Sequence, residues 1–200
     1  MVKDRTLDHK IIESATKEFL SLGFQKASLH KIAENAGITT GALYTRYKNK
    51  DALFVSLVKD MLSEIGDEAA SIQKLYQDAE GESPASILDV IRQEENIYLE
   101  LMFRHYDACV LLFCRSGGSS LEVHINQMMR NKAEETVRYL KRISKTSVDL
   151  DGIELIMMEQ FHFFRYILEQ GCDLNRALSC MKRVEKFMEA GWKDLFEEIM

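Results

Sequence analysis

The sequence has a single proline, Pro84, in 200 residues. Proline lacks a backbone N–H and breaks helices, so a chain almost without it is free to run long helices. Cysteine is sparse as well. Cys109, Cys114, Cys172 and Cys180 make no C-x-x-C pair. That pattern gives no disulfide framework and no zinc ribbon, and leaves the four as small core hydrophobes of a reduced compartment. No run of about 18 apolar residues is there to span a membrane. The start, MVKDRTLDHK, is too polar for a signal peptide. A cytoplasmic protein with no membrane partner is expected.

Catalytic signatures are also missing. The chain carries no P-loop, no G-x-S-x-G and no dinucleotide fingerprint. Neither an enzyme nor a cofactor is expected. Glu159 and His162 form one E-x-x-H at helical spacing, whereas a di-iron bundle needs two. His105 and Cys109 share a helical face, but read as an ordinary histidine beside a core cysteine. No metal is expected.

What is present is hydrophobic periodicity and a divided charge. Apolar residues make up 46% of the chain, and this length buries roughly 70% of the surface its unfolded form exposes. Net charge is −6, which alone argues against a nucleic-acid binder. Residues 1–50 carry +4, however, and residues 51–200 carry −10. A basic head on an acidic body suits a DNA-binding module joined to a domain that does not bind DNA.

The helical pattern is continuous. After a polar arm at residues 1–5, Thr6 or Asp8 caps a first helix with Ile11, Ile12, Ala15, Phe19, Leu20 and Leu22 at helical spacing. Gly23 fits the left-handed position that ends it, with Phe24 folding back. Ser28 caps a second helix, Gly37 takes a positive-φ turn, and Thr39 caps a third that reaches about Tyr47. Asn49 caps a long fourth helix to about Gln77. Gly81, Glu82, Ser83 and Pro84 break the chain and start a fifth. A sixth spans Tyr106 to Cys114, and Ser119 with Glu122 reads as a capping box for a seventh. Asp151 with Glu154 and then Asp173 open an eighth and a ninth. The fold class is all-α, with about nine helices. The domains expected are a helix-turn-helix head at 1–50 and a helical effector-binding and dimerisation body at 51–200, linked by the fourth helix.

Two short capped helices around a glycine turn, followed by basic residues, form the pattern of a helix-turn-helix. At ITTGALYTRYKNKDAL, residues 38–53, the sequence closely resembles the tetracycline-repressor (TetR) family of transcriptional regulators. The residues that carry the resemblance are Gly41 three before Tyr44, the Leu43-Tyr44 pair, the aromatic Tyr47, Lys50 and Leu53. FLSLGFQKASLHKIAENAG matches the first two helices of the same family. The resemblance covers about the first 55 residues, and the rest matches in architecture alone.

The resemblance implies that Tyr44, Arg46 and Lys50 contact phosphates, with Lys48 adding charge. Arg46 departs from the family, which usually has His or Tyr there, and Tyr47 stands in place of the usual Phe, packed beneath the third helix. Thr39, Thr40, Gly41 and Thr45 fall on the groove-facing side. Thr40 and Thr45 are the best candidates for base edges, since a hydroxyl donates or accepts and the methyl can meet thymine. His30 is a further candidate reader.

For the body, the resemblance implies a homodimer through the last two long helices and a pocket for a small apolar or amphipathic ligand. Candidate lining residues are Tyr98, Met102, Tyr106, Phe113, Met128, Met157 and Phe161, all of which equally suit a plain core. The eighth helix is apolar on two sides, so it has neighbours on two sides. The expected function is a homodimeric repressor released from a near-palindromic double-stranded operator by a ligand. The alternatives are a regulator of the same fold without an effector, or one that activates, and a helical protein–protein module.

Overall fold

The computed structural model describes residues 5–79, 84–144 and 151–199. Among the described residues all regular structure is helical: α1 (Arg5–Lys26), α2 (Leu29–Asn35), α3 (Thr40–Arg46), α4 (Lys50–Asp78), α5 (Pro84–Arg104), α6 (Tyr106–Cys114), α7 (Ser120–Ile143), α8 (Asp151–Gln170) and α9 (Leu174–Ile199). The all-α class and the expected order therefore hold. Gly81, Glu82 and Ser83 lie outside the described residues, as do the side chains of Asp151 and Glu154.

Two compact units emerge. The first takes in the described chain up to Leu62 together with His105–Asn126, and the second takes in Ser63–Arg104 and the described chain from Gln127 onward. The first unit thus contains more chain than residues 1–50, because α6 packs on α1. The helices α4 and α7 each begin in the first unit and end in the second.

In the first unit, α1 contributes Ile11, Ala15 and Phe19, spaced four apart so that they stack along one face and are wholly buried. Phe19 meets Phe54 edge-on at 4.9 Å, and Phe24 meets Phe54 at 5.2 Å. An edge-to-face cluster of this kind adds about 1 kcal/mol per pair beyond burial. Ile32, Ala33 and Leu43 complete the core under α2 and α3. The buried Ser14 hydroxyl donates to the Ile32 carbonyl at 2.9 Å, which satisfies it where an unpaired hydroxyl would be costly.

Gly23 does not close α1 in the expected way. It takes φ 72° and ψ 169°, and one further turn follows it. The break frees the Phe24 N–H, which donates to the Arg115 carbonyl at 2.8 Å, while Arg115 Nε donates to the Leu20 carbonyl at 2.9 Å. The end of α1 is therefore capped from the segment after α6.

Cys109 is buried with its Sγ 3.2 Å from the Met61 Sδ. Burial, with the neighbouring Cys114 second, pushes its thiol up to about 12. Cys109 is a core residue as expected, but Cys180 is exposed, so the reading of all four cysteines as core does not hold.

The expected capping box at α7 does not form. The Ser119 hydroxyl donates to the Ser116 carbonyl at 2.6 Å and so does not cap, and the Glu122 carboxylate accepts from the Gly118 N–H at 2.7 Å instead of from Ser119.

The second unit is built on Ala133, Leu140, Ile153, Met157, Trp192 and Phe196, from α7, α8 and α9. It also buries a charge. Glu94 is 7% exposed, accepts from the Tyr76 hydroxyl at 2.7 Å and pairs with Lys132 at 2.7 Å. Lys132 also lies over the Tyr76 ring. Such a group survives burial because both carboxylate oxygens are matched. On α8, Ile153, Met157 and Leu168 face inward, whereas Leu155 and Tyr166 are 64% and 62% exposed. Phe187 of α9 is 78% exposed. No described helix is long and apolar enough to cross a membrane.

Candidate nucleic-acid interface

The interface is built from local caps upward. The Ser28 side chain accepts from the Lys31 N–H at 3.4 Å and starts α2. Gly37, at φ 71°, turns the chain where an L side chain would be strained. The Thr39 hydroxyl accepts from the Ala42 N–H at 3.1 Å and starts α3. Asn49 Oδ1 accepts from the Ala52 N–H at 2.7 Å at the start of α4. Each cap satisfies a donor that the helix leaves open, and each is worth about 1 kcal/mol.

These caps fix which side of α3 faces out. Leu43 is buried and anchors the helix. Gly41, Tyr44 and Thr45 lie on the opposite side and are exposed, Tyr44 at 52%. Thr39, Lys48 and His30 are exposed as well, while Thr40, Tyr47 and Lys50 are half-buried. Gly41 leaves a bare patch of backbone between Thr40 and Tyr44, with only the Thr39 hydroxyl near the place a Cβ would take. The Thr45 hydroxyl donates to the Gly41 carbonyl at 3.0 Å, so its proton is already engaged and its free lone pairs can only accept.

Two of the expected phosphate contacts have partners within the protein. Arg46 Nε pairs with Asp8 Oδ1 at 3.0 Å, across 38 residues. Lys50 Nζ donates to the Gln25 carbonyl at 2.9 Å and sits 4.9 Å from the centre of the Phe24 ring. Burial holds its ammonium below the usual lysine range. Lys50 thus ties the start of α4 to the α1–α2 junction. Lys31, in contrast, is spoken for by Glu34 at 2.9 Å.

The candidate ligand residues are spread over both units. Tyr106 and Phe113 are half-buried in the first; in the second, Met102 and Met157 are buried and Tyr98, Met128 and Phe161 half-buried. None of the seven lines either of two clefts in the structure. One is a groove of about 290 Å³ along α1, edged by His9, Glu13 and Asp107. The other, of about 20 Å³, lies between α5 and α9 beside Trp192. Among the described residues no three metal-ligating side chains cluster.

Against known proteins, the family model for bacterial regulatory proteins of the tetR family matches residues 11–57, the stretch that holds these caps and the exposed face of α3. An uncharacterised HTH-type transcriptional regulator of Bacillus subtilis is 33% identical over 66 residues, 32% of this chain and 35% of that one. The chain spans between 28% and 50% of the length of the curated relatives it matches. Among solved structures, a TetR-like transcriptional regulator from Rhodococcus sp. RHA1 superposes with a TM-score of 0.63 at 18% identity, over 92% of this chain and 96% of that one. FadR from Bacillus subtilis, solved in complex with stearoyl-CoA, does so with a TM-score of 0.50 at 18% identity, over 86% and 96%.

Proposed function

We propose, for a chain that belongs to the TetR family of bacterial regulatory proteins, a homodimeric transcriptional repressor that a small ligand releases from a near-palindromic operator. The observation that carries the DNA-binding part is the outward face of α3. Gly41, Tyr44 and Thr45 stand exposed above a buried Leu43, with Arg46, Lys48 and Lys50 following directly. A short helix with a flat polar face enters the major groove, and flanking cations neutralise phosphates. In this reading Tyr44, Arg46, Lys48 and Lys50 set affinity. Thr39, Thr40, Gly41, Thr45 and His30 face the bases. Regulators of this family are not enzymes, and no step of the proposal needs catalysis.

One head grips too few bases to find a site alone. The exposed Leu155, Tyr166 and Phe187 on α8 and α9 support a second copy packing there, which gives two heads about 34–36 Å apart on successive turns of DNA. The ligand is small and apolar or amphipathic, held among Tyr98, Met102, Met128, Met157 and Phe161. The acyl-CoA in one fold neighbour supports that class. Because α4 is continuous from the head into the second unit, a ligand favouring one position of its far half shifts the equilibrium between DNA-binding and free forms. A second reading, a regulator without an effector, is favoured by the small α5–α9 cleft, since ligand pockets run to roughly 300–1,000 Å³.

The test is a titration of the protein against duplexes selected from a random pool, over a range of salt. Binding to a two-fold symmetric site is expected, and Arg46→Ala should reduce the salt slope by about 1. Unchanged affinity and slope in both Arg46→Ala and Tyr44→Ala would remove the assignment of this face. A screen of fatty acids and acyl-CoA thioesters that neither stabilises the protein nor releases DNA would favour the second reading.

A further inference from the structure

Among the described cations of the head, Arg46 is the one held by a carboxylate from a distant helix. Lys31 pairs with Glu34 of its own helix, and Lys50 is held by a carbonyl and a ring. Arg46 closes α3, and Asp8 lies in the first turn of α1. Only the fold brings them together, at 3.0 Å. Their side chains are 26% and 29% exposed, so the pair lies against the protein without being sealed from water.

The atom used decides what the pair can do. Asp8 takes the Nε–H of the guanidinium. A bidentate, end-on pair would consume the terminal amino groups that grip a phosphate. A contact through Nε fixes the plane of the fork and leaves its terminal N–H donors for another acceptor. Arginine carries a large rotamer entropy, and a side chain already fixed loses less of it on binding. Asp8 also stands in the first turn of α1, where the helix dipole suits an acid.

We infer that Asp8 is a positioning residue for DNA binding, an acid at the protein–DNA face that strengthens the complex by aiming Arg46 at a phosphate. This rests on the DNA-binding reading above and goes beyond it, because simple charge counting gives the opposite sign. A carboxylate near a polyanion repels it, so its removal ought to tighten binding. The repulsion acts through water and is screened by salt, whereas the aiming acts through a direct hydrogen bond.

The experiment measures dissociation constants by fluorescence anisotropy with full-length protein. The probe is a labelled duplex, the tightest recovered from a random pool. Wild type, Asp8→Asn, Asp8→Ala, Arg46→Ala and the Asp8→Ala/Arg46→Ala double variant are compared at several salt concentrations. Asp8→Ala should bind about three- to tenfold more weakly than wild type, Asp8→Asn, whose amide oxygen can still accept from Nε, should lose less, and the salt slope of Asp8→Ala should fall toward that of Arg46→Ala. In the Arg46→Ala background, Asp8→Ala should change affinity less than about twofold, since nothing is left to aim. Thermal melts separate this from a loss of fold; a merely structural Asp8 would weaken binding equally in both backgrounds. Tighter binding by Asp8→Ala, or equal losses in the two backgrounds, would overturn the inference. Failure of the wild type to bind any duplex overturns the DNA-binding reading itself, and this inference with it.

Discussion

Asp51 accepts two hydrogen bonds from Ser120, one from its backbone N–H at 2.8 Å and one from its hydroxyl at 2.6 Å. The first residue of α7 is thus capped by the first turn of α4, 69 residues earlier in the chain. An orphan donor at a helix start needs an acceptor, and this one comes from another helix.

Asp51→Ala should therefore cost about 1–2 kcal/mol, as the loss of a cap does. Ser120→Ala should cost less, about 0.5–1 kcal/mol, because the backbone N–H keeps its acceptor. Urea denaturation of the two variants checks this. Equal losses would mean that the backbone bond contributes nothing.

Gly37 and Gly118 have φ 71° and 82°. A Cβ at Gly37 would meet open space, so Gly37→Ala should cost only the backbone strain, about 1–2 kcal/mol. At Gly118 a Cβ would come within 2.7 Å of the Gln25 side chain, a flexible neighbour that can swing away. Gly118→Ala should cost about the same as Gly37→Ala, and adding Gln25→Ala should return only a few tenths of that. Thermal unfolding of the three variants settles the comparison. A neutral Gly37→Ala would contradict the turn.

Glu95 should make the protein less stable as pH rises. Burial, then the charges of Glu185 and Glu94, raise its carboxyl to about 7, against the pull of Arg92. Between the ordinary carboxylate value and about 7 the folded form holds a proton that the unfolded chain has lost. This contribution to stability is complete below pH 4.5 and is lost as pH passes 7. With allowance for partial solvent access, it is on the order of 1–2 kcal/mol. Denaturation of Glu95→Gln at pH 5 and pH 8 should show a gain over wild type at pH 8 and little change at pH 5. A gain that is the same at both would show that Glu95 does not titrate between them.

Phe187 and Tyr166 expose most of their surface without destabilising neighbours to lose. Phe187→Glu and Tyr166→Glu should leave the fold within about 0.5 kcal/mol of wild type when measured on monomers. In sedimentation velocity they should shift the protein to half the mass, and with that weaken binding to a two-fold duplex. Dimers that persist in both variants would move the subunit interface off α8 and α9.

The parts legible in the sequence were those with local causes. Ser28, Thr39, Asn49 and Asp173 each accept from an N–H three residues on, so a pattern within four residues announced them. The exposed face of α3 followed from the same caps and from Leu43. Ser119 and Glu122 had the right spacing, but Ser119 lost its hydroxyl to Ser116, an acceptor that no spacing rule weighs. Asp8 with Arg46, Asp51 with Ser120 and Tyr76 with Glu94 were invisible, because each pair meets only once helices pack. Leu155, Tyr166 and Phe187 stood in apolar stripes, and the stripe does not reveal which of its members remain outside.

The Cys109 thiol carries a practical consequence. With its proton held up to about 12, only on the order of one molecule in ten thousand presents a thiolate at pH 8, and that sulfur is packed on Met61. Alkylation at this position must wait for the first unit to open, so the rate of labelling counts openings. In a variant whose other three cysteines are serine, mass spectrometry of Cys109 modification becomes a clock, read with and without DNA, for how often the head comes apart.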